Sequence, residues 1–254
     1  MNPSPELQAA LDAAEQAAGI ARALYQRNLE VRIKADKSPV TEADVRCEMA
    51  IREILRTRFP SHGFFGEETG SYEPDAESLW LVDPIDGTKA FVREYPMFST
   101  QIALMRGGEI VLGVSSAPVY GEIAYAERGC GAFLNGKTLA VSRVSTLESA
   151  ALSSGNLKTL AGGGQWLRYG ALVAQVGRIR GYGDFLHYHL LAAGKIDAVI
   201  ESDVNILDIA ACAAIVTEAG GRFTDLYGAP ITLRSTSVLA TNGSLHAPVL
   251  AALN

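Results

Sequence analysis

The sequence is poor in cysteine and has no cluster of positive charge. Its three cysteines, Cys47, Cys130 and Cys212, lie far apart among 254 residues and form no CxxC pair. This argues against a disulfide scaffold or a zinc ribbon and favours free thiols. The formal net charge is −6 and no polybasic run occurs, so nucleic acid and an anionic membrane surface are not expected partners.

Membrane and export signals are also missing. No stretch is long and apolar enough to span a bilayer. The opening, "MNPSPELQAALDAAEQAAGIARALYQ", lacks the basic start and apolar stretch of a signal peptide. We therefore expect a cytoplasmic protein without a membrane partner. GxGxxG, P-loop, GxSxG and HExxH motifs are absent, which removes several common enzyme classes.

What is present is an ordinary globular composition, 48 % hydrophobic, with enough chain for a substantial core. Apolar spacing predicts helices over residues 5–28 and from Thr41, behind the cap-like "TEAD", to about Arg58. Residues 97–142 contain β-rich runs separated by short turns, which predicts an antiparallel meander.

After about residue 145, short strands alternate with helices, predicted near 158–176, from Asp184 and over 205–219. This alternation predicts a layered α/β half, residues 143–254, packed on an antiparallel half, residues 1–142, in one compact catalytic unit.

The stretch "WLVDPIDGTKAF" ends an apolar strand in two aspartates, Asp83 and Asp86. A DG turn or a helix cap would explain Asp86 alone. More acids follow another strand, however: Glu67 and Glu68 come directly after "GFFG". Asp44, in the first turn of the second helix, has a helix-dipole role as its alternative. Several oxygen ligands near strand ends indicate a hard divalent cation such as Mg²⁺.

The residues beside these aspartates favour a phosphate. Pro84 fixes the turn, so Ile85 could offer its carbonyl to the cation. Gly87 allows close backbone approach, and the N–H groups from Thr88 onward would form an anion site. A cation opposite N–H donors predicts phosphomonoester hydrolysis by an activated water. The histidines show no metal spacing and are expected not to be ligands: His62, His187, His189 and His246.

Two other metal-binding patterns fail. An EF-hand loop starting at Asp83 would put Ile85, Gly87 and Thr88 where acids and glycine are required. A haloacid-dehalogenase-type phosphatase would need aspartates two residues apart after the first strand.

Three blocks resemble the inositol monophosphatase superfamily of Mg²⁺-dependent, Li⁺-sensitive phosphatases. They are "GEE" at 66–68, "WLVDPIDGTKAF" at 80–91 and "LDIAACAAIVTEAGG" at 207–221, in the family's order and spacing. The resemblance implies a five-layered αβαβα sandwich, as in fructose-bisphosphatase, and a homodimer. Leu207 stands where the family usually has Trp, and we expect altered packing there.

The resemblance also implies metal ligands. Glu67, Asp83 and the Ile85 carbonyl would bind the first Mg²⁺, and Asp83, Asp86 and Asp208 the second. Without the resemblance, a helix cap is an equally good explanation of Asp208. Mn²⁺ could replace Mg²⁺, and Li⁺ would inhibit.

Catalytic roles follow from the same resemblance. A third, weaker Mg²⁺ would sit on Glu67 near Asp44. Glu67 and Thr88 would position the attacking water, with Asp44 polarising Thr88. The N–H groups of Gly87 and Thr88 would hold the phosphate.

The substrate is less determined. "GDFLHYHLLAAG", with Asp184 after the glycine, resembles the histidinol-phosphate phosphatase branch, and a carboxylate there could pair with an ammonium group. The alternative is that Asp184 only caps its helix. Glu201 corresponds to a substrate-contacting position in the inositol branch, so inositol-1-phosphate stays a candidate for a pocket formed by Asp184, Glu201 and Asp208. A 3'(2'),5'-bisphosphate nucleotidase, a fructose-bisphosphatase and a non-catalytic phosphate-binding relative are further alternatives.

Overall fold

The computed structural model describes residues 3–27, 29–34 and 39–254. Within these residues the helices are α1 (Pro5–Leu24), α2 (Glu42–Arg58), α3 (Thr88–Val92), α4 (Lys158–Gly162), α5 (Trp166–Val173), α6 (Asp184–Ala192), α7 (Ile206–Glu218) and α8 (His246–Leu253). The strands are β1 (Arg32–Ile33), β2 (Pro39–Val40), β3 (Gly63–Gly66), β4 (Ser71–Tyr72), β5 (Ser78–Asp86), β6 (Ser99–Arg106), β7 (Glu109–Ala117), β8 (Glu122–Glu127), β9 (Gly131–Leu134), β10 (Lys137–Thr138), β11 (Ala151–Ser154), β12 (Arg178–Arg180), β13 (Ala198–Ser202), β14 (Arg222–Thr224) and β15 (Ser237–Thr241).

The two N-terminal helices begin where their sequences supply caps. The Ser4 side chain accepts from the Leu7 N–H at the start of α1, and Pro5 occupies the first turn. At α2, Thr41 and Asp44 form the predicted capping box. α1 ends at Leu24 because Tyr25 is extended, earlier than predicted. Residue 28, the predicted end, lies outside the described residues, as does most of the "KADKSP" connection.

The larger sheet has eight strands in the order β10-β9-β8-β7-β6-β5-β3-β4. Strands β6 to β10 form the predicted antiparallel meander. β5 extends it by pairing antiparallel with β6, and β3 runs parallel to β5. One irregularity interrupts β5: Asp83 pairs with Gln101 and Asp86 with Ser99, so three steps on β5 match two on β6. This β-bulge inserts one residue between the two aspartates.

The smaller sheet has the order β12-β11-β13-β15-β14. β11 is parallel to β12 and β13, whereas β15 is antiparallel to β13 and β14. The predicted division at residue 142 falls between the two sheets. The helix predicted near 158–176 is two short helices, α4 and α5, because the consecutive glycines Gly162, Gly163 and Gly164 interrupt it.

The layers alternate. α1 and α2 pack on one face of the larger sheet, α6 and α7 lie between the two sheets, and α4, α5 and α8 cover the far face of the smaller sheet. This is the predicted αβαβα sandwich. Leu207 is buried in the central layer. None of the helices in the described ranges is both long and apolar enough to cross a bilayer.

Contact between α7 and the larger sheet is unusually close at Gly113 on β7. A Cβ there would collide with the backbone of Ala211, including its carbonyl oxygen. Only glycine lets the helix lie directly against the strand. The position of Asp208, one turn earlier on α7, therefore depends on backbone contact as well as side-chain packing.

Candidate active site

The bulge in β5 explains why two aspartates three residues apart can act together. In a regular strand such residues point to opposite faces. The inserted residue cancels this alternation and turns Asp83 and Asp86 to the same side. Asp83 Oδ1 accepts the Ile85 N–H at 2.9 Å, and Thr100 Oγ1 donates to the Pro84 carbonyl at 2.8 Å. The bulge is thus satisfied internally although it is buried.

Asp208 joins these two residues from α7. Asp83, Asp86 and Asp208 each offer a carboxylate oxygen, and these oxygens lie within 4.8 Å of one another. Asp208 also completes a capping box, since its carboxylate accepts from Asn205 N at 2.9 Å and Asn205 Nδ2 at 2.7 Å. The cap observed here therefore does not compete with membership of the cluster.

The electrostatics of the cluster are unfavourable to three charged acids. Burial, with the charges of Glu67, Asp86 and Asp208, raises the pKa of Asp83 well above its usual value. Burial and the charges of Asp184, Asp208 and Glu201 raise the pKa of Asp86 likewise. Burial, together with the charges of Glu67 and Glu201, raises the pKa of Asp208 to about 7. Like charges this close favour protonation unless a cation intervenes.

This donor set fits a divalent metal ion. Its ligands are hard carboxylate oxygens, from two chain segments, and at neutral pH they carry more repulsion than their hydrogen bonds relieve. The Ile85 carbonyl lies in the same bulge, with its oxygen 3.0 Å from Thr88 Oγ1.

The charge of Glu67 also acts on Asp83 and Asp208, but Glu67 itself has a cationic partner. Lys34 Nζ lies 2.6 Å from Glu67 Oε1 and 2.8 Å from Glu68 Oε1. Burial opposes the charged form of Lys34, yet the bonds to the two glutamates outweigh it and raise the Lys34 pKa. One ammonium group thus offsets part of the negative charge at this edge of the acidic cluster.

Glu48 on α2 positions the segment that carries Glu67. Its carboxylate is fully buried and accepts from Glu68 N at 2.7 Å and Thr69 N at 2.6 Å. Gly66 must be glycine, because a Cβ there would overlap the Glu48 carboxylate. The buried Glu48 carboxylate therefore determines the shape of the turn that follows Glu67.

Asp44 connects the capping box of α2 to Thr88. Its Oδ2 accepts from Thr41 N at 2.8 Å and Thr41 Oγ1 at 2.7 Å, and its Oδ1 accepts from Thr88 Oγ1 at 3.0 Å. Burial raises the pKa of Asp44, although its hydrogen bonds oppose this. The helix-end role and the contact with Thr88 thus use different oxygens.

Gly87 makes the turn between the aspartates and Thr88. Its φ is 89°, in the left-handed region, and a Cβ would meet the Met97 carbonyl. α3 starts at the next residue, so the first N–H groups of this turn have no intrahelical acceptor.

A second acidic group lies beside the aspartates. Glu201 is buried on β13 and accepts from Tyr188 OH at 2.8 Å and Asn156 N at 3.1 Å, and His187 Nε2 lies 3.2 Å from it. Burial would raise the Glu201 pKa, but His187, Tyr188 and Asn156 together hold it below its usual value. Burial and the Glu201 charge raise the Asp184 pKa to about 6. Asp184 is the first residue of α6, after Gly183, and has a φ of 45°.

Sequence reasoning missed the residues that hold the site together. They are Lys34, Glu48, Ser99, His187 and Tyr188. A signal existed for Glu48, which follows Asp44 by one helical turn and so shares its buried face. The others meet their partners only through strand pairing and helix packing, which no local pattern shows.

Comparisons with known proteins identify the family of the chain. The model of the inositol monophosphatase family matches residues 2–254. The "Histidinol-phosphatase" of Mycobacterium tuberculosis (strain ATCC 25618 / H37Rv) is 40 % identical, with 98 % of each chain covered. The "Inositol-1-monophosphatase" of Caulobacter vibrioides (strain ATCC 19089 / CIP 103742 / CB 15) is 36 % identical and covers 94 % of this chain and 97 % of its own. The crystal structure of the extragenic suppressor protein suhB from Bartonella henselae superimposes with a TM-score of 0.90 at 33 % identity, covering 99 % of both chains.

The layered fold and the relatives named above are those of a phosphatase. More specifically, the chain belongs to the inositol monophosphatase family, whose model spans nearly all of it. The resemblance predicted from the sequence motifs is confirmed.

Proposed function

We propose that this protein is a Mg²⁺-dependent phosphomonoesterase whose substrate carries a positive charge, with histidinol phosphate as the best candidate. The observation that carries the substrate assignment is the pair Asp184 and Glu201, two carboxylates adjoining the proposed metal cluster. Several relatives named "Histidinol-phosphatase" are 33–40 % identical to this chain.

The proposed metal ligands are Glu67, Asp83, the Ile85 carbonyl, Asp86 and Asp208. Bound divalent cations would supply Lewis acidity toward phosphate oxygens and water. The raised pKa values of Asp83, Asp86 and Asp208 support this set, because a cation relieves the repulsion that raises them. Two or three Mg²⁺, replacement by Mn²⁺, inhibition by Li⁺, a homodimer and a cytoplasmic location remain parts of the proposal that rest on the family resemblance.

Thr88 and Asp44 would move the proton. The single hydrogen of the Thr88 hydroxyl has two acceptors at 3.0 Å, Asp44 Oδ1 and the Ile85 carbonyl. With the carbonyl engaged by a cation, that hydrogen would go to Asp44, and the lone pairs of Oγ1 could accept a hydrogen bond from an attacking water. Glu67 would orient the same water from the opposite side. The backbone N–H groups of Gly87 and Thr88 would bind the phosphate oxygens, in a turn whose φ of 89° only glycine adopts easily.

Asp184 and Glu201 would recognise the rest of the substrate. Glu201 accepts hydrogen bonds from Tyr188 and Asn156 and lies 3.2 Å from His187 Nε2, whereas Asp184 lies at the start of α6. An ammonium group between them would lower the Asp184 pKa and form charge-assisted hydrogen bonds. A polyol could instead use its hydroxyls here, and relatives named "Inositol-1-monophosphatase" favour inositol-1-phosphate as the second candidate.

The test compares kcat/KM for histidinol phosphate and inositol-1-phosphate at millimolar Mg²⁺. The Asp184→Ala variant should lose about 10- to 100-fold on histidinol phosphate, the value of one charged hydrogen bond, and much less on inositol-1-phosphate. Asp75→Ala, which removes an exposed acid, is the charge-matched control. Equal losses on both substrates would remove the substrate assignment. No hydrolysis of either ester, or of p-nitrophenyl phosphate, with Mg²⁺ would favour a non-catalytic phosphate-binding protein.

A further inference from the structure

His189 on α6 is buried between the two sheets, and each nitrogen of its ring lies close to a polar side chain. Nδ1 lies 3.0 Å from Glu122 Oε2 on β8, and Nε2 lies 2.9 Å from Ser115 Oγ on β7. Only 2 % of His189 is exposed. The proposed mechanism gives this residue no role, although α6 also carries Asp184.

A continuous set of hydrogen bonds joins His189 to the aspartates. Gln101 Nε2 lies 3.0 Å from Ser115 Oγ and 2.7 Å from Ser99 Oγ, and Ser99 Oγ lies 3.2 Å from Asp86 Oδ2. All three intermediate residues are buried, with at most 1 % of each exposed. We refer to Ser115, Gln101 and Ser99 as the relay.

The direction of the bonds follows once Asp86 is ionised, as it would be with a bound cation. The Asp86 carboxylate then only accepts, so Ser99 donates to it and accepts from the Gln101 amide. Cys212 Sγ, 3.6 Å from Gln101 Oε1, supports this amide orientation. The second Gln101 hydrogen goes to Ser115. In the His189 tautomer that carries its proton on Nδ1 and donates to Glu122, Nε2 accepts from Ser115.

We propose that His189 is a positioning residue for the metal site, orienting Asp86 through the relay. Since one Asp86 oxygen is held by Ser99, the direction of the other is set as well. This inference rests on the proposed function insofar as Asp86 is a metal ligand. His189 also connects α6, the helix that begins with Asp184, to the larger sheet. The carboxylate pair Asp184 and Glu201 and the proposed metal cluster therefore keep a fixed spacing.

The test measures Mg²⁺ affinity by calorimetry on the full chain, stripped with EDTA. Ser99→Ala should weaken Mg²⁺ about tenfold, as expected for a residue that orients a ligand. His189→Leu should weaken it about threefold, and the double variant should match Ser99→Ala alone, because the relay is already cut. His189→Gln, whose side-chain oxygen can accept from Ser115, should restore affinity. If His189→Leu does not fold, His189→Asn, which is too short to reach Ser115, replaces it.

His246 supplies the matched control. It is 1 % exposed and has hydroxyl partners at both nitrogens, Thr224 Oγ1 at 3.0 Å and Thr241 Oγ1 at 3.1 Å. His246→Leu should lower the melting temperature without changing Mg²⁺ affinity. Unchanged affinity in His189→Leu or in its replacement His189→Asn, equal loss in His246→Leu, or additive losses in the double variant would overturn the inference. A wild-type protein that binds no Mg²⁺ would overturn the metal site itself, and the inference with it.

Discussion

The metal-free protein should be destabilised by its own acidic cluster as the pH rises. Asp208 ionises with a pKa of about 7 in the fold, against an ordinary value of 3.8. A carboxyl whose pKa is raised on folding contributes its stability at low pH and loses it as the pH rises through the folded pKa. Integrating the proton linkage from pH 6 to pH 8 gives a loss of about 1.4 kcal/mol for Asp208. Asp184, at about 6, adds roughly 0.4 kcal/mol over the same range.

The buried His246 has the opposite effect on the pH dependence of stability, and the comparison must cancel its contribution. Burial and the Arg222 charge lower the pKa of His246 to about 4, so acidification below the ordinary value of 6.5 destabilises the fold through this residue. The informative quantity is therefore the difference between wild type and Asp208→Asn, which share every histidine. Loss of an acceptor for Asn205 adds an offset that does not depend on pH.

The assay is thermal unfolding in EDTA at pH 6, 7 and 8. Between pH 6 and pH 8 the wild-type melting temperature should fall by about 3–6 °C more than that of Asp208→Asn, since 1 kcal/mol corresponds to about 2–4 °C at this size. Mg²⁺ should stabilise wild type more at pH 8 than at pH 6 and should stabilise the variant little. The same pH dependence in both proteins would refute the argument that the fold raises the pKa of Asp208 and that a bound cation would relieve the repulsion.

Two further predictions concern turnover. Asp83→Asn should lower kcat by more than about 100-fold, because Asp83 would hold the proposed cation with its negative charge and a neutral amide would bind it more weakly. The metal-free variant should melt higher than wild type at pH 8. Unchanged kcat in the folded variant would contradict the ligand assignment. Thr88→Val keeps the volume of Thr88 and removes its hydroxyl. It should lower kcat about 100-fold at saturating substrate with little change in Mg²⁺ affinity, whereas a change confined to KM would mean that Thr88 binds substrate without moving a proton.

Much of the architecture could be predicted from sequence because its signals are local. The capping box at Thr41 and Asp44, and the apolar helix that begins at Ile206, follow from spacing alone. The β-bulge could not be predicted this way, because it is defined by pairing with Ser99 and Gln101 on another strand.

The same division applies to the site. The conspicuous acids at strand ends could be read from the chain, and the structure brings Asp83, Asp86 and Asp208 together. The side chains that pair with these acids or hydrogen-bond to them could not be predicted from the sequence. Lys34 meets Glu67 across a sequence separation of 33 residues, and His189 meets Ser115 across 74. Such contacts depend on how layers pack, and a lysine or serine in an ordinary strand or loop carries no mark of them.

The backbone contact between Gly113 and Ala211 has a consequence for ion selectivity. Mg²⁺ needs oxygens at about 2.0–2.1 Å, whereas Ca²⁺ accepts about 2.3–2.6 Å. An added methyl at Gly113 would push α7 outward, and Asp208 would move with it. If Asp208 binds a divalent cation as proposed, the wider site would discriminate less against the larger ion, and Gly113, which has no side chain, would then influence which cation fits.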